Sequence, residues 1–146
     1  MEFFAKKFDE LTPREVYEIL RGRESIFTHE KGMRCQDIDG KDYVCLHCIL
    51  QDEDGLIAYM RAEKTDTGAR IGRVITLTHG RGDGRVLMER SLPRIADHFG
   101  TDTIEVHAQH DAVGFYLRMG FTPVSDEFIE AGVRHIAMIK RVNEKG

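Results

Sequence analysis

Residues 78–88 read THGRGDGRVLM, with Gly80, Gly82 and Gly84 crowded between a β-branched run and a helical pattern. Upstream, residues 70–78 carry Ile71, Val74, Ile75, Thr76 and Thr78 and read as a strand. Downstream, Leu87, Ser91 and Ile95 form one stripe, with Met88, Leu92, Ala96 and Phe99 beside it. A strand that enters a helix through so bare a turn points to an α/β fold. Each glycine costs conformational entropy on folding, so the bareness implies that something approaches the backbone there. The first N–H groups of a helix lack internal partners and sit at its positive end, which makes this turn an anion site. Two phosphate motifs are excluded. The G-x-x-x-x-G-K-[ST] pattern is absent, and Arg85 stands where the dinucleotide fingerprint needs its last glycine. Pro93 lies inside the helical pattern and is expected to kink or shorten it.

Around this junction the chain divides into short elements. Leu11-Thr12-Pro13-Arg14-Glu15-Val16 marks a helix start: Thr12 caps, Pro13 takes the first turn, Glu15 completes a capping box, and Leu11 faces Val16 as a staple. Gly22 is expected to separate this helix from a second at residues 23–30. Strands at 44–51 and 56–61 flank the hairpin signal Asp54-Gly55. Residues 103–109 read as a strand and 111–119 as a short helix ended by Gly120. Strands at about 126–130 and 133–141 are joined at Ala131-Gly132. The expected architecture is a single domain over residues 1–146, with a mixed sheet.

Composition removes several classes of function. A formal charge of −4 argues against a nucleic-acid binder, which would carry a basic stripe. No apolar run approaches the ~20 residues that span a bilayer, so no membrane partner is expected. Residues 1–7, MEFFAKK, are too short and too charged for a secretory signal. Three cysteines cannot all pair within one chain, which places the expectation in the reducing cytoplasm.

The spacing His79-x-x-Gly82-x-Gly84 resembles the pyrophosphate loop [RQ]-x-x-G-x-[GA] of the GNAT N-acetyltransferase superfamily. Residues 109–121, QHDAVGFYLRMGF, resemble that superfamily's N-x-x-A-x-x-x-Y-x-[KR]-x-G-F segment, with Gln109 in the asparagine position and Tyr116, Arg118, Gly120 and Phe121 matching directly. The segments Phe27-Thr28-His29-Glu30, Gln36-Asp37-Ile38-Asp39-Gly40-Lys41-Asp42 and Arg134-His135-Ile136-Ala137-Met138 are similar to the ElaA-like branch. His79 departs from the usual arginine or glutamine, Asp83 stands where an aliphatic residue is common, and Lys31 and Cys35 replace glutamine and tyrosine.

The resemblance implies a mixed, mostly antiparallel central sheet flanked by helices, with a gap between the fourth and fifth strands for the pantetheine arm. It implies acetyl-CoA as cosubstrate and transfer of its acetyl group to a primary amine, by direct attack in a ternary complex. The acceptor is left as a small molecule or a protein amine, and a homodimer is left open. The implied cofactor contacts are Ile75, Leu77, His79, Gly80, Arg81, Gly82, Asp83, Gly84, Arg85, Gln109 and Tyr116, and Tyr116 is also the implied general acid.

Deprotonation of the amine has several candidates: Glu30, Glu105, His107 and His47. Glu105 and His107 share one strand face by period-two alternation. Glu30, Asp37 and Asp39 could instead attract a cationic acceptor, or simply be solvated. In Cys45-Leu46-His47-Cys48 the thiols fall on opposite strand faces, so core cysteines are expected and no metal. Two competing functions remain: a non-catalytic acyl-CoA-binding module, and a glycine-rich interaction domain that binds no CoA.

Overall fold

In the computed structural model, which describes residues 1–142, a sheet of eight strands is built in the order β1-β2-β3-β4-β5-β8-β6, with β7 pairing β8. The strands are β1 (Glu2–Lys7), β2 (Leu46–Asp52), β3 (Gly55–Thr65), β4 (Gly68–Thr76), β5 (Thr103–Gln109), β6 (Thr122–Pro123), β7 (Phe128–Glu130) and β8 (Val133–Arg141). Every pair is antiparallel except β4–β5, which the crossover helix α2 (Asp83–Phe99) makes parallel.

That parallel pairing is brief: Ala69 faces Ile104, Arg70 faces Glu105 and Ile71 faces Val106. Beyond these residues the two strands run on unpaired to each other. The cause lies in β4. Its register against β3 shifts between Tyr59↔Ile75 and Arg61↔Gly72, and Arg73 takes φ 51°. A bulge of this kind bends its strand, here away from β5.

Both sheet faces are covered. Leu46, Cys48 and Leu50 of β2, with Ala58, Met60 and Ala62 of β3, share a core with Leu87, Met88, Leu92 and Ile95 of α2. On the opposite face Ile49, Tyr59 and Ile75 pack with Ile19 of α1 (Pro13–Arg23) and Ile26 of the π-helical turn that follows it. No helix among the described residues is long and apolar enough to cross a membrane.

The expected capping box is present: Glu15 N donates to Thr12 Oγ1 at 3.1 Å, and Thr12 N to Glu15 Oε1 at 2.8 Å. Two expectations need correction. Gly22 does not separate two helices but lies within α1, where a Cβ would stand 3.1 Å from Leu56 and 3.2 Å from Ile75. It is a close-packing glycine between helix and sheet. Pro93 does not shorten α2, which runs through it. Both Pro93 and Glu89, whose carbonyl loses its partner, are exposed, so water can satisfy that carbonyl while Leu92, Ile95 and Ala96 hold the helix down. Residues 2–7 form an edge strand that alternation does not reveal. Phe3 and Ala5 pack on one core and Phe4 on the other, so no polar face exists to set a period.

Candidate functional site

The glycine turn between β4 and α2 has the backbone its sequence demands. Gly80 and Gly82 have φ of 80° and 79°, in the left-handed region that favours glycine. The first helical bond runs from Val86 N to Gly82 O at 3.2 Å. The N–H groups of Asp83, Gly84 and Arg85 therefore point out of the helix with no partner among the described residues. Gly84 has a different task. Its Cβ would lie 3.3 Å from the Phe115 ring and 3.5 Å from Thr76, so its bareness lets α2 approach α3 (Val113–Arg118) and β4.

The side chains of the turn are tied to neighbours. Arg81 donates to the buried Asp83 carboxylate at 3.0 Å through Nε, and Arg85 to Glu89 at 2.8 Å. His79 meets Glu30 through Nε2 and lies 3.3 Å from Thr76 Oγ1 through Nδ1. Ile75 is buried in the second core and pairs with Tyr59 of β3; Leu77 is partly exposed and its N–H is bonded to Ile57 O.

Where β4 and β5 diverge, a cavity of about 320 Å³ opens. Tyr116, Gln109, His107, His135 and Arg70 are on its wall. Phe115 and Phe121 meet the Tyr116 ring edge-on, with centroids 5.2 and 5.4 Å away. The Tyr116 hydroxyl has no hydrogen-bond partner among the described residues. Burial pushes its pKa well up from the ordinary tyrosine value. Gln109 Oε1 accepts from Lys31 Nζ at 2.8 Å.

His107 is set between carboxylates, its Nδ1 3.0 Å from Glu130 and its Nε2 3.6 Å from Glu105. Glu105 in turn accepts from Arg70 Nε at 2.6 Å.

A second cluster fixes the floor of the cavity. Arg23, wholly buried, donates to Asp37 Oδ2 at 2.9 Å and to Asp42 Oδ1 at 2.8 Å. Arg61 donates to Asp39 at 2.6 Å and to Asp42 at 3.1 Å. Arg73 Nε sits 2.8 Å from Asp37 Oδ1, close but off the line of a hydrogen bond, while its Nη2 donates to Asp37 O at 3.0 Å. Hydrogen bonds from Arg61 hold the Asp39 carboxyl far below the usual carboxylate range. Burial alone would raise Asp42; the bonds from Arg23 and Arg61 override it and lower it instead.

The profile of the acetyltransferase (GNAT) domain family matches residues 35–142. The chain belongs to the GNAT acetyltransferase family. Its sequence is similar to protein ElaA of Escherichia coli, 34% identical over 140 residues, covering 91% of this chain and 92% of that one. The crystal structure of Escherichia coli ElaA aligns with TM-score 0.89 and 30% identity over 97% of this chain and 100% of that one. An acyl-CoA N-acyltransferase from Pseudomonas aeruginosa aligns with TM-score 0.88 and 29% identity, over 96% and 99% of the two chains. An aminoglycoside 6'-N-acetyltransferase crystallised with coenzyme A, 13% identical with TM-score 0.76 over 100% of this chain and 99% of that one, shares the fold alone.

Within this GNAT fold the sequence candidates separate. Tyr116, Gln109 and His107 come together on the cavity wall; Glu105 stands behind His107, and Glu30 lies at the glycine turn against His79. His47 is buried elsewhere, 2.6 Å from the Tyr59 hydroxyl through Nδ1 and 2.9 Å from Asp42 O through Nε2. Asp37 and Asp39 are not a solvated lure for a cationic acceptor, because Arg23, Arg61 and Arg73 already neutralise them. Cys45 and Cys48 are buried, free thiols, and no metal-binding cluster exists among the described residues. Among the cavity residues not singled out as site residues from sequence are His135 on β8 and Glu130 at the end of β7. Their only signal was the RHIAM segment and the strand break at Ala131-Gly132, and neither reveals that β8 lies beside β5.

Proposed function

We propose that this protein transfers the acetyl group of acetyl-CoA to a primary amine, by direct attack within a ternary complex. One relationship carries the proposal. Phe115 packs on Gly84 in the first turn of α2, and the next residue, Tyr116, opens into the cleft where β4 and β5 part. The Phe115–Gly84 contact ties the first turn of α2 to the helix that carries the unpartnered hydroxyl, and this supports reading the turn as the anion cradle of the same site.

In this reading the free N–H groups of Asp83, Gly84 and Arg85 take the pyrophosphate, with Gly80 and Gly82 giving it room. His79, Arg81, Arg85 and Gln109 border the path, and the edge of β4 that is unpaired with β5 offers main-chain groups to the pantetheine arm at Thr76, between Ile75 and Leu77. The acceptor must arrive as, or become, a neutral amine, because an ordinary alkylammonium has a pKa of ~10.4. Its nitrogen then attacks the thioester carbonyl carbon, the C–N bond forms, the C–S bond breaks, and the leaving sulfur needs a proton.

Tyr116 suits that last step in a particular way. Burial keeps it protonated, so it can donate to sulfur, but it is a weaker acid than a thiol of pKa ~8.5. It therefore gives its proton only as it takes another from the nitrogen that is becoming an amide. Three free thiols, Cys35, Cys45 and Cys48, suit a reducing, cytoplasmic setting.

The experiment is release of free CoA thiol from acetyl-CoA across a panel of structurally diverse primary amines, beside calorimetric binding of acetyl-CoA. Turnover with at least one amine is expected. Binding without turnover across the panel would assign the cleft to an acyl-CoA-binding module, and absence of binding would sink both.

A further inference from the structure

Glu130 differs from the other carboxylates on the cavity wall. Asp37 and Asp39 face arginines, and Glu63 has Lys41 at 3.8 Å and Arg70 at 4.0 Å. Glu130 has only imidazoles within 4.0 Å among the described residues: His107 Nδ1 at 3.0 Å and His135 Nε2 at 3.9 Å. It is half-exposed, so it is a carboxylate that an incoming cation can reach.

His135 is its complement. The residue is only 4% exposed and lies on the cavity wall. Its Nδ1 stands 2.8 Å from Val133 O, and since a carbonyl can only accept, Nδ1 carries the hydrogen. The neutral ring is then left with a lone pair on Nε2, which has no hydrogen-bond donor among the described residues. His107 is not equivalent, because each of its nitrogens is turned to a carboxylate. The Phe128 ring lies between the two histidines, stacked on His135 at 6.0 Å and edge-on to His107 at 5.2 Å, and fixes both rings. Across the β5–β8 pairing His135 faces Gln109, from which the chain turns into α3 and Tyr116.

We propose that His135 is the base that takes the proton from the acceptor ammonium while Glu130 holds that ammonium beside it. The inference rests on the acetyl-transfer reading above and assigns the step that reading left open. Glu130 pairs with the R–NH₃⁺ group; Nε2 of His135 accepts one of its protons, leaving a neutral amine and an imidazolium. After the amide has formed, the imidazolium returns its proton to water at the half-exposed mouth by way of Glu130. Overall an ammonium and a thioester become an amide, a free thiol and one released proton.

The test uses the whole protein with acetyl-CoA and n-butylamine. His135→Ala is expected to lower turnover by about 10²–10⁴-fold, with acetyl-CoA affinity unchanged, and added imidazole is expected to restore a measurable part. Activity within about threefold of the parent, or a loss that imidazole does not relieve in a protein of unchanged melting temperature, overturns the base assignment. Glu130→Gln is expected to raise KM for n-butylamine about tenfold or more with kcat little altered; an unchanged KM overturns its part. If the parent protein releases no thiol with n-butylamine, that failure belongs to the acetyl-transfer reading. Nitrogen NMR then decides this one: n-butylammonium chloride shifting the bare His135 Nε2 resonance in the parent but not in Glu130→Gln upholds it, and no shift overturns it.

Discussion

Arg23 Nη1 donates to Asp42 Oδ1 at 2.8 Å, joining the end of α1 to the turn before β2 through a guanidinium that no solvent reaches. Arg61 shares the same carboxylate oxygen at 3.1 Å. Removing one partner from a buried ion pair leaves the other charge uncompensated, which costs more than the pair itself contributes. Asp42→Asn is expected to destabilise the fold by about 3 kcal/mol, the lower end for such a pair, because Arg23 keeps Asp37 and Arg61 keeps Asp39. Urea unfolding checks this, and a loss below about 0.5 kcal/mol would mean that the pair is effectively solvated.

The same cluster fixes an acid limit. Asp39 and Asp42 have folded-state pKa values depressed below the ordinary 3.8, Asp39 chiefly by Arg61 and Asp42 by arginine bonds that override its burial. A depressed carboxylate contributes stability that is present above its unfolded pKa and lost as pH falls through the folded one. Melting temperature is therefore expected to hold from neutral pH down to about pH 4 and to fall below that, with a flatter acid limb in Asp39→Asn. A cluster-dependent decline already under way near pH 6 would contradict this.

Local spacing made part of this protein legible. Thr12 and Glu15 find each other because they are three residues apart, and the turn at Gly80 to Gly84 declares its backbone by composition. What escaped depends on distant partners. Gly22 looks like a breaker until Leu56 and Ile75 are brought against it. Asp37 and Asp39 look like a solvated acidic loop until Arg61 and Arg73 arrive from β3 and β4. His135 and Glu130 become cavity residues only through the register that sets β8 beside β5 and β7 beside β8. Tyr116 was readable as a site candidate because a family segment surrounds it, whereas its missing hydrogen bond is a fact of packing.

The three thiols should respond differently to alkylation. Burial pushes Cys48 up to about 12 and Cys45 up to about 11, so neither presents an appreciable thiolate near neutral pH. Cys35 is exposed. Iodoacetamide at pH 7.5 is expected to label Cys35 alone in the folded protein and all three after guanidinium unfolding, as read by mass spectrometry. Rapid native labelling of Cys45 would show that its side of the cavity opens in solution.

Gly82 and Gly84 should fail in different ways when changed to alanine. At Gly82 a Cβ meets nothing within 4 Å, but φ is 79°, so the fold loses about 1–2 kcal/mol to left-handed strain. If the turn cradles pyrophosphate, the added methyl also stands in its way, and acetyl-CoA affinity is expected to fall about tenfold or more, equivalent to about 1.4 kcal/mol. At Gly84 the conformation is helical, and the Phe115 ring, 3.3 Å away, must give way. That shift moves α3, so turnover rather than binding is expected to suffer. Calorimetry and steady-state rates on both variants separate the two effects, and unchanged acetyl-CoA affinity in folded Gly82→Ala would remove the turn from the cofactor site.

Tyr116→Phe tests the chemistry most directly. The ring is gripped by Phe115 and Phe121, and the phenylalanine ring fills the same space, so the packing survives the change. The hydroxyl makes no hydrogen bond among the described residues, so its removal leaves no protein group unsatisfied. Stability is therefore expected to hold, since the hydroxyl opens into the cavity and leaves nothing unsatisfied when removed. A structural tyrosine with a bonded tip would have lost about 1 kcal/mol instead. If Tyr116 hands a proton to the departing sulfur, turnover is expected to fall by about 10²–10⁴-fold while acetyl-CoA affinity stays put. The loss should also depend on the leaving group: a thioester of a more acidic thiol needs less help from a donor, so the defect should shrink with such a substrate. A melting curve, a binding isotherm and turnover with two acyl-thioesters of different thiol acidity make up the measurement. An equal defect with both thioesters would mean that Tyr116 positions the substrate without donating the proton, and full activity would remove it from the reaction altogether.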